Sequence, residues 1–161
     1  MPRSRRRKPA RRAAVRTARP RSTARPPRPK KPVEAETRLL ALAREVAALP
    51  RDDALAAALR ALAGAHAPDG ATPRAVYGAW LASRGDKTAA LALAWAREQV
   101  RLALQETIER ARRPSRVDVA PDTLAWLLLA ACESLAHEPP SAVADRLRAL
   151  LLLPGHAEAD R

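Results

Sequence analysis

From Val33 onward the apolar residues recur at helical spacing, and no stretch alternates as a strand does. Between residues 33 and 49, Leu39, Leu42 and Val46 fall three and four apart, and Pro50 follows. Asp52 or Asp53 is placed to cap a second helix, with Leu55, Leu59 and Leu62 along one face and Gly64 near its end. "HAPDGATP" (66–73) reads as a turn-rich loop. Thr72 followed by Pro73 predicts the start of a third helix, which carries Tyr77, Trp80 and Leu81 and ends near Gly85. Asp86 opens the longest segment, which runs to Arg113–Pro114 and is roughly 40 Å long if straight. Leu91, Trp95 and Leu102 lie on one side of it, and Leu93, Val100 and Leu104 on a neighbouring side. After "PSRVDVA", Pro121 suits the first turn of a fifth helix. "EPPS" breaks the chain again, and Ser141 is placed to cap a last helix carrying Val143, Leu147, Leu150, Leu151 and Leu153. The pattern predicts an all-α bundle of about six helices.

The fifth segment, "VDVAPDTLAWLLLAACESLA" (117–136), carries no charge from Leu124 to Cys132. A surface helix ordinarily keeps one polar face. Here Leu124, Leu127, Leu128, Ala131 and Leu135 make one stripe, and Trp126, Leu129 and Ala130 make another. The four leucines Leu150 to Leu153 also exceed a single stripe. The simplest cover is a second copy, with two helices from each chain forming an intermolecular four-helix bundle; the alternative is a compact monomer with this helix buried at its centre. The expected interface is Leu124, Leu128, Leu129, Leu147, Leu150 and Leu151.

Charge changes this picture at one end only. Of the 30 Lys and Arg in 161 residues, 14 fall in residues 1–32, which hold no acid and seven prolines. The remainder carries 16 Lys/Arg against 17 Asp/Glu and is nearly neutral. Residues 1–32 therefore read as a disordered cationic tail, 33–153 as the helical domain, and 154–161 as a flexible end. The tail cations, among them Arg5, Arg6, Arg7, Lys8, Arg11, Arg12, Arg28, Lys30 and Lys31, suit phosphate neutralisation along DNA or RNA without regard to sequence. The tail has no aromatic side chain, which argues against single-strand stacking. An acidic membrane or protein surface is the alternative polyanion, and a solubilising tail with no specific partner is the plainer reading. No apolar run approaches the length of a bilayer span, and the N-terminus does not resemble a secretory signal. Heavy use of Ala and Arg suggests a bacterial source, so a cytoplasmic, nucleoid-associated protein is expected.

Catalytic patterns are missing from the sequence. His66, His137 and His156 have no metal-ligand spacing, and neither a Gly-rich phosphate loop nor a serine elbow occurs. The single cysteine, Cys132, reads as a small buried hydrophobe. Glu98 and Glu133 would form a carboxylate pair only if folding joined them. The expectation is a protein that is not an enzyme and holds neither cofactor nor metal. Helical domains can leave apolar space lined by aromatics and a few polar groups. Tyr77, Trp80, Trp95, Glu98, Gln105 and Trp126 are the candidate lining of such a pocket for a small apolar ligand.

The long helix, its Arg-rich end, "RVDVAPDTLAWLLLAACESLA", a break and "SAVADRLRALLLL" together resemble the C-terminal half of TetR-type transcriptional regulators. The resemblance is clearest over 86–153 and looser back to Val33. Ser134 stands where many relatives have Gly, and Pro121-Asp122 approximates the family's Asp-Pro-Glu opening. The resemblance implies an all-helical regulatory domain, a dimer built on its last two helices, and a ligand cavity in its core. The family's N-terminal helix-turn-helix has no counterpart in residues 1–32, so base reading by a major-groove helix is not implied. The expected function is a TetR-like regulatory module for dimerisation and ligand sensing, with a tail that binds DNA non-specifically. The alternative is a histone-tail-like protein that coats nucleic acid and uses its helical body only to dimerise.

Overall fold

The computed structural model describes residues 34–111 and 119–152, all within one unit, Lys31–Arg161. The tail cations, the linker residues 112–118, Leu153 and His156 lie outside the described residues. Six α-helices follow in order: α1 (Glu34–Ala47), α2 (Ala54–Ala65), α3 (Ala71–Ala82), α4 (Lys87–Ala111), α5 (Pro121–Ser134) and α6 (Pro140–Leu152). A 3-10 turn, Leu135–His137, extends α5, and no strand occurs among the described residues. The all-α expectation holds. No helix among the described residues is long and apolar enough to cross a membrane.

The long helix α4 is the organising element. It packs chiefly against α1 and α5, and α2 packs on α4, α5 and α6. The seam is built as the spacing predicts: Leu39, Leu42 and Val46 of α1, Leu55, Leu59 and Leu62 of α2, and Val100 and Leu104 of α4 are all buried. Asp86 caps α4, its Oδ1 accepting from the backbone N–H groups of Thr88 and Ala89 at 3.1 Å each. Pro121 occupies the first turn of α5, where its missing N–H costs nothing.

Three cap assignments need correction. Asp53 does stand before α2, but its backbone is left-handed (φ 57°) and its side chain does not cap the helix; its carboxylate lies 3.6 Å from Arg60 instead. Helix α3 starts at Ala71, so Thr72 is a buried first-turn residue and Gly70 is the cap. A Cβ on Gly70 would meet the Ala67 carbonyl oxygen at 2.8 Å, which explains glycine there. Ser141 lies inside α6, which begins at Pro140.

The two-sided helix α5 is covered by its own chain on one side. Ala125, Leu128, Leu129 and Cys132 are buried in the core, whereas Trp126 is 52% and Leu127 48% exposed. This corrects the expected interface. Leu128, Leu129 and Leu150 belong to the core of the single chain and are not surface offered to a partner. Leu124, Leu147 and Leu151 are half-buried at the core's margin. The large apolar side chains left outside are Tyr77, Trp80 and Leu81 on α3, Leu91, Trp95 and Leu102 on α4, Trp126 and Leu127 on α5, and Leu152 on α6.

Candidate functional site

Helix α3 buries only Thr72 of its side chains. Val76, Tyr77, Trp80 and Leu81 recur at spacings of one, three and four and share a face. Instead of entering the core, the first three of these line an open cleft between α3 and α4, with a volume of about 630 Å³. Leu93 and Ala94 of α4 and Leu39 of α1 complete its apolar wall. The lining is mostly apolar with a few convergent polar groups, the usual make-up of a small-molecule site.

Those polar groups come from four elements. Arg97 of α4 donates from Nε and Nη2 to the two carboxylate oxygens of Glu133 on α5, both at 2.6 Å. The pair is bidentate and partly screened, with side chains 38% and 28% exposed. His66, immediately after α2, is 4% exposed, and its Nε2 is buried with no hydrogen-bond partner. Burial lowers its pKa from the usual value near 6.5; the Glu133 carboxylate opposes this and Arg97 adds to it. At the mouth, the Arg84 guanidinium lies 4.7 Å from the centre of the Trp80 ring. Trp80 stacks in turn on Tyr77, with 6.2 Å between ring centres.

The six expected pocket residues divide. Tyr77 and Trp80 line the cleft. Trp95 projects from α4 into solvent and is 56% exposed. Trp126 borders a shallow depression with Arg101, Asp122 and Thr123. Glu98 pairs with Arg101 at 2.6 Å, which holds its carboxyl below the usual range. Gln105 accepts from Arg101 and donates to Glu109, both at 2.9 Å. These four belong to the outer surface of α4 and α5 and not to the cleft. Glu98 and Glu133 each bind a different arginine and do not form a carboxylate pair. Cys132 is buried, and burial pushes its thiol up to about 12, so it packs as an inert hydrophobe. No cluster of three or more metal-ligating side chains occurs among the described residues.

Arg97 and Arg84 were not singled out by sequence reasoning, and His66 was weighed only as a metal ligand. A faint signal existed for Glu133, the only charge between Leu124 and Leu135. Its partner is 36 positions away, so nothing local announces the pair.

The state of His66 makes stability pH-dependent. Near pH 7.5 the imidazole is largely neutral in folded and unfolded chains alike. Below about pH 6.5 the unfolded chain binds a proton that the native chain resists, so stability falls as pH falls until the lowered native pKa is reached. Urea unfolding at pH 7.5 and pH 5.5 should show this loss, and His66→Leu should reduce it. Equal losses in wild type and variant would place the pH dependence elsewhere.

Comparison of the chain with protein-family models, curated proteins and solved structures finds no match to any of them. The class the fold defines is therefore structural: an all-helical body with an aromatic-walled cleft bordered at one side by a partly exposed ion pair.

Proposed function

We propose that the chain is a small-ligand-sensing regulatory module of the kind TetR-type regulators carry, joined to a cationic tail that binds nucleic acid. The observation that carries this reading is the cleft. It opens between α3 and α4, it has the size of known small-molecule sites, and the Arg97–Glu133 pair ties its wall to α5. A ligand filling it would touch Leu39 of α1 and Glu133 of α5, the two chief packing partners of α4, so occupancy has a physical route to the rest of the body. The tail supplies the output: 14 cations in 32 residues bind duplex phosphate without reading bases.

The test of the ligand reading is thermal. A molecule that binds the native cleft and not the unfolded chain raises the melting temperature by mass action, by an amount that grows with its concentration. A screen of apolar acids, cations and aromatics should yield a concentration-dependent rise; a screen without one would remove the reading.

The module acts as a dimer in this proposal. Apolar surface left outside the protomer core supports it, above all Trp126 and Leu127 on α5 and Leu152 on α6. Trp126→Asp should shift sedimentation from dimer to monomer while leaving helicity intact, because Trp126 is half exposed in the protomer. Wild-type protein sedimenting as a monomer at micromolar concentration would end the dimer proposal.

The concentration of charge in the tail also favours a second reading, in which the body dimerises and the tail coats nucleic acid with no ligand involved. The two readings part on the thermal screen.

A further inference from the structure

The charges around the cleft decide what kind of molecule suits it. Arg97 and Glu133 satisfy one another, both carboxylate oxygens being taken. That leaves the Arg84 guanidinium, stacked on Trp80, with no carboxylate and no side-chain hydrogen bond among the described residues. A stacked guanidinium still presents its in-plane N–H groups to an anion. Glu133 would repel an anion placed beside it, so a negative head belongs at the Arg84 end, away from that carboxylate. A cationic head meets the opposite problem: the only carboxylate in the lining is already paired with Arg97. Between the two ends the wall is apolar, formed by Val76, Tyr77 and Leu93.

His66 is the independent sign that the cleft is a site and not loose packing. Its side chain lines the cleft, is more than nine-tenths buried, and leaves Nε2 without a partner. An unmet buried polar atom costs about 1–3 kcal/mol and is uncommon in native proteins. Nε2 is sealed from solvent by the cleft wall as it stands, so a neutral oxygen on a bound molecule would meet it only with a small shift of that wall, whereas a second anion beside Glu133 would not be tolerated.

Resting on the reading of the cleft as a ligand site, we infer that its ligand is an amphipathic carboxylic acid: carboxylate at Arg84, apolar body along Val76, Tyr77 and Leu93, and a hydroxyl or carbonyl oxygen toward His66.

Calorimetry on the full chain tests this with three probes below their micelle concentrations: decanoate, 10-hydroxydecanoate and decyltrimethylammonium. Both acids are expected to bind and the ammonium to bind at least tenfold more weakly. Arg84→Ala should weaken both acids by about tenfold, the loss of one charge-assisted contact. 10-Hydroxydecanoate should bind several-fold tighter than decanoate, and His66→Leu should erase that difference. Val76→Trp, which fills the cleft, should abolish binding while leaving the cationic tail untouched. If that variant loses helicity, Ala94→Trp on the facing wall replaces it. An ammonium probe that binds equally, an Arg84→Ala variant without effect, or no preference for the hydroxy acid overturns this ligand class and leaves the cleft a binding site of other chemistry. No binding by any probe, or binding that survives the filled cleft, overturns the ligand class and the ligand-site reading together.

Discussion

Raising salt from about 50 to about 200 mM is expected to weaken binding of the full chain to duplex DNA by roughly a thousandfold or more. The reason lies in residues 1–32. Fourteen cations there face no acid, and the rest of the chain is near neutral. Each phosphate neutralised releases condensed counterions, and the logarithm of affinity falls with the logarithm of salt by about 0.9 per contact. Engagement of only about six of the fourteen cations already gives an effect of this size. Unrelated duplexes of equal length should give the same slope, because phosphate contacts carry no sequence information. Replacing Arg5, Arg6 and Arg7 together with Ser should flatten the slope by up to about three contacts. Dimerisation would tether two tails and raise apparent affinity with no new contact. Gel-shift titrations across salt measure all of this. Tight binding to one sequence at high salt would mean that the body itself reads DNA.

The largest stability effect is expected at Leu129. The side chain is buried in the core with Leu128 and Cys132 of α5. Leu129→Asp removes a packed side chain, a loss of about 2–5 kcal/mol for truncation alone. It also forces a carboxylate into an apolar site with no cation provided for it, which adds several kcal/mol or drives the carboxyl to protonate. A small domain has about 5–15 kcal/mol to lose. Leu129→Asp should therefore be largely unfolded at neutral pH, with loss of far-UV helicity. Trp126→Asp, three positions earlier on the outer face, should keep its helicity. If Leu129→Asp instead stays folded and only changes its oligomeric state, Leu129 belongs to an interface and the packing of α5 described above is wrong.

That contrast shows what periodicity can and cannot tell. It identified the buried stripe of α1, which sets one apolar face against a polar one, and that of α2, whose leucines fall on one face of a helix otherwise built mostly of alanine. It also found Asp86 and Pro121, whose roles depend only on the residues that follow them. Helix α5 was harder. Its apolar residues surround it, so spacing alone could not tell that Leu128 and Leu129 are buried in the core while Trp126 and Leu127 face out. The sequence offered two stripes, and the fold divided them differently. Cap residues were misplaced at Thr72 and Ser141 because each helix extends one residue or more beyond the side chain best suited to cap it.

The cleft was legible only through Tyr77 and Trp80, which share one face of a short helix. Large aromatics on one face signal either core or pocket, and sequence does not separate these. Here α3 stands off the core, so they wall an opening. Trp95, Glu98, Gln105 and Trp126 drew attention for the same chemical reasons, yet the rotation of α4 and α5 turns them outward. Arg97, Glu133 and His66 meet only in three dimensions, and their chemistry had no local pattern to betray it.

The central claim is that this cleft takes up a small molecule, and Trp80 reports on it directly. The full chain carrying Trp95→Phe and Trp126→Phe retains Trp80 as its sole tryptophan, and both replaced residues are more than half exposed. Titration with 10-hydroxydecanoate should change Trp80 emission along a saturable curve, and Val76→Trp in a parallel calorimetric titration should eliminate the binding. Trp80 emission that stays unchanged throughout the titration, at acid concentrations that saturate any heat of binding, would contradict the claim.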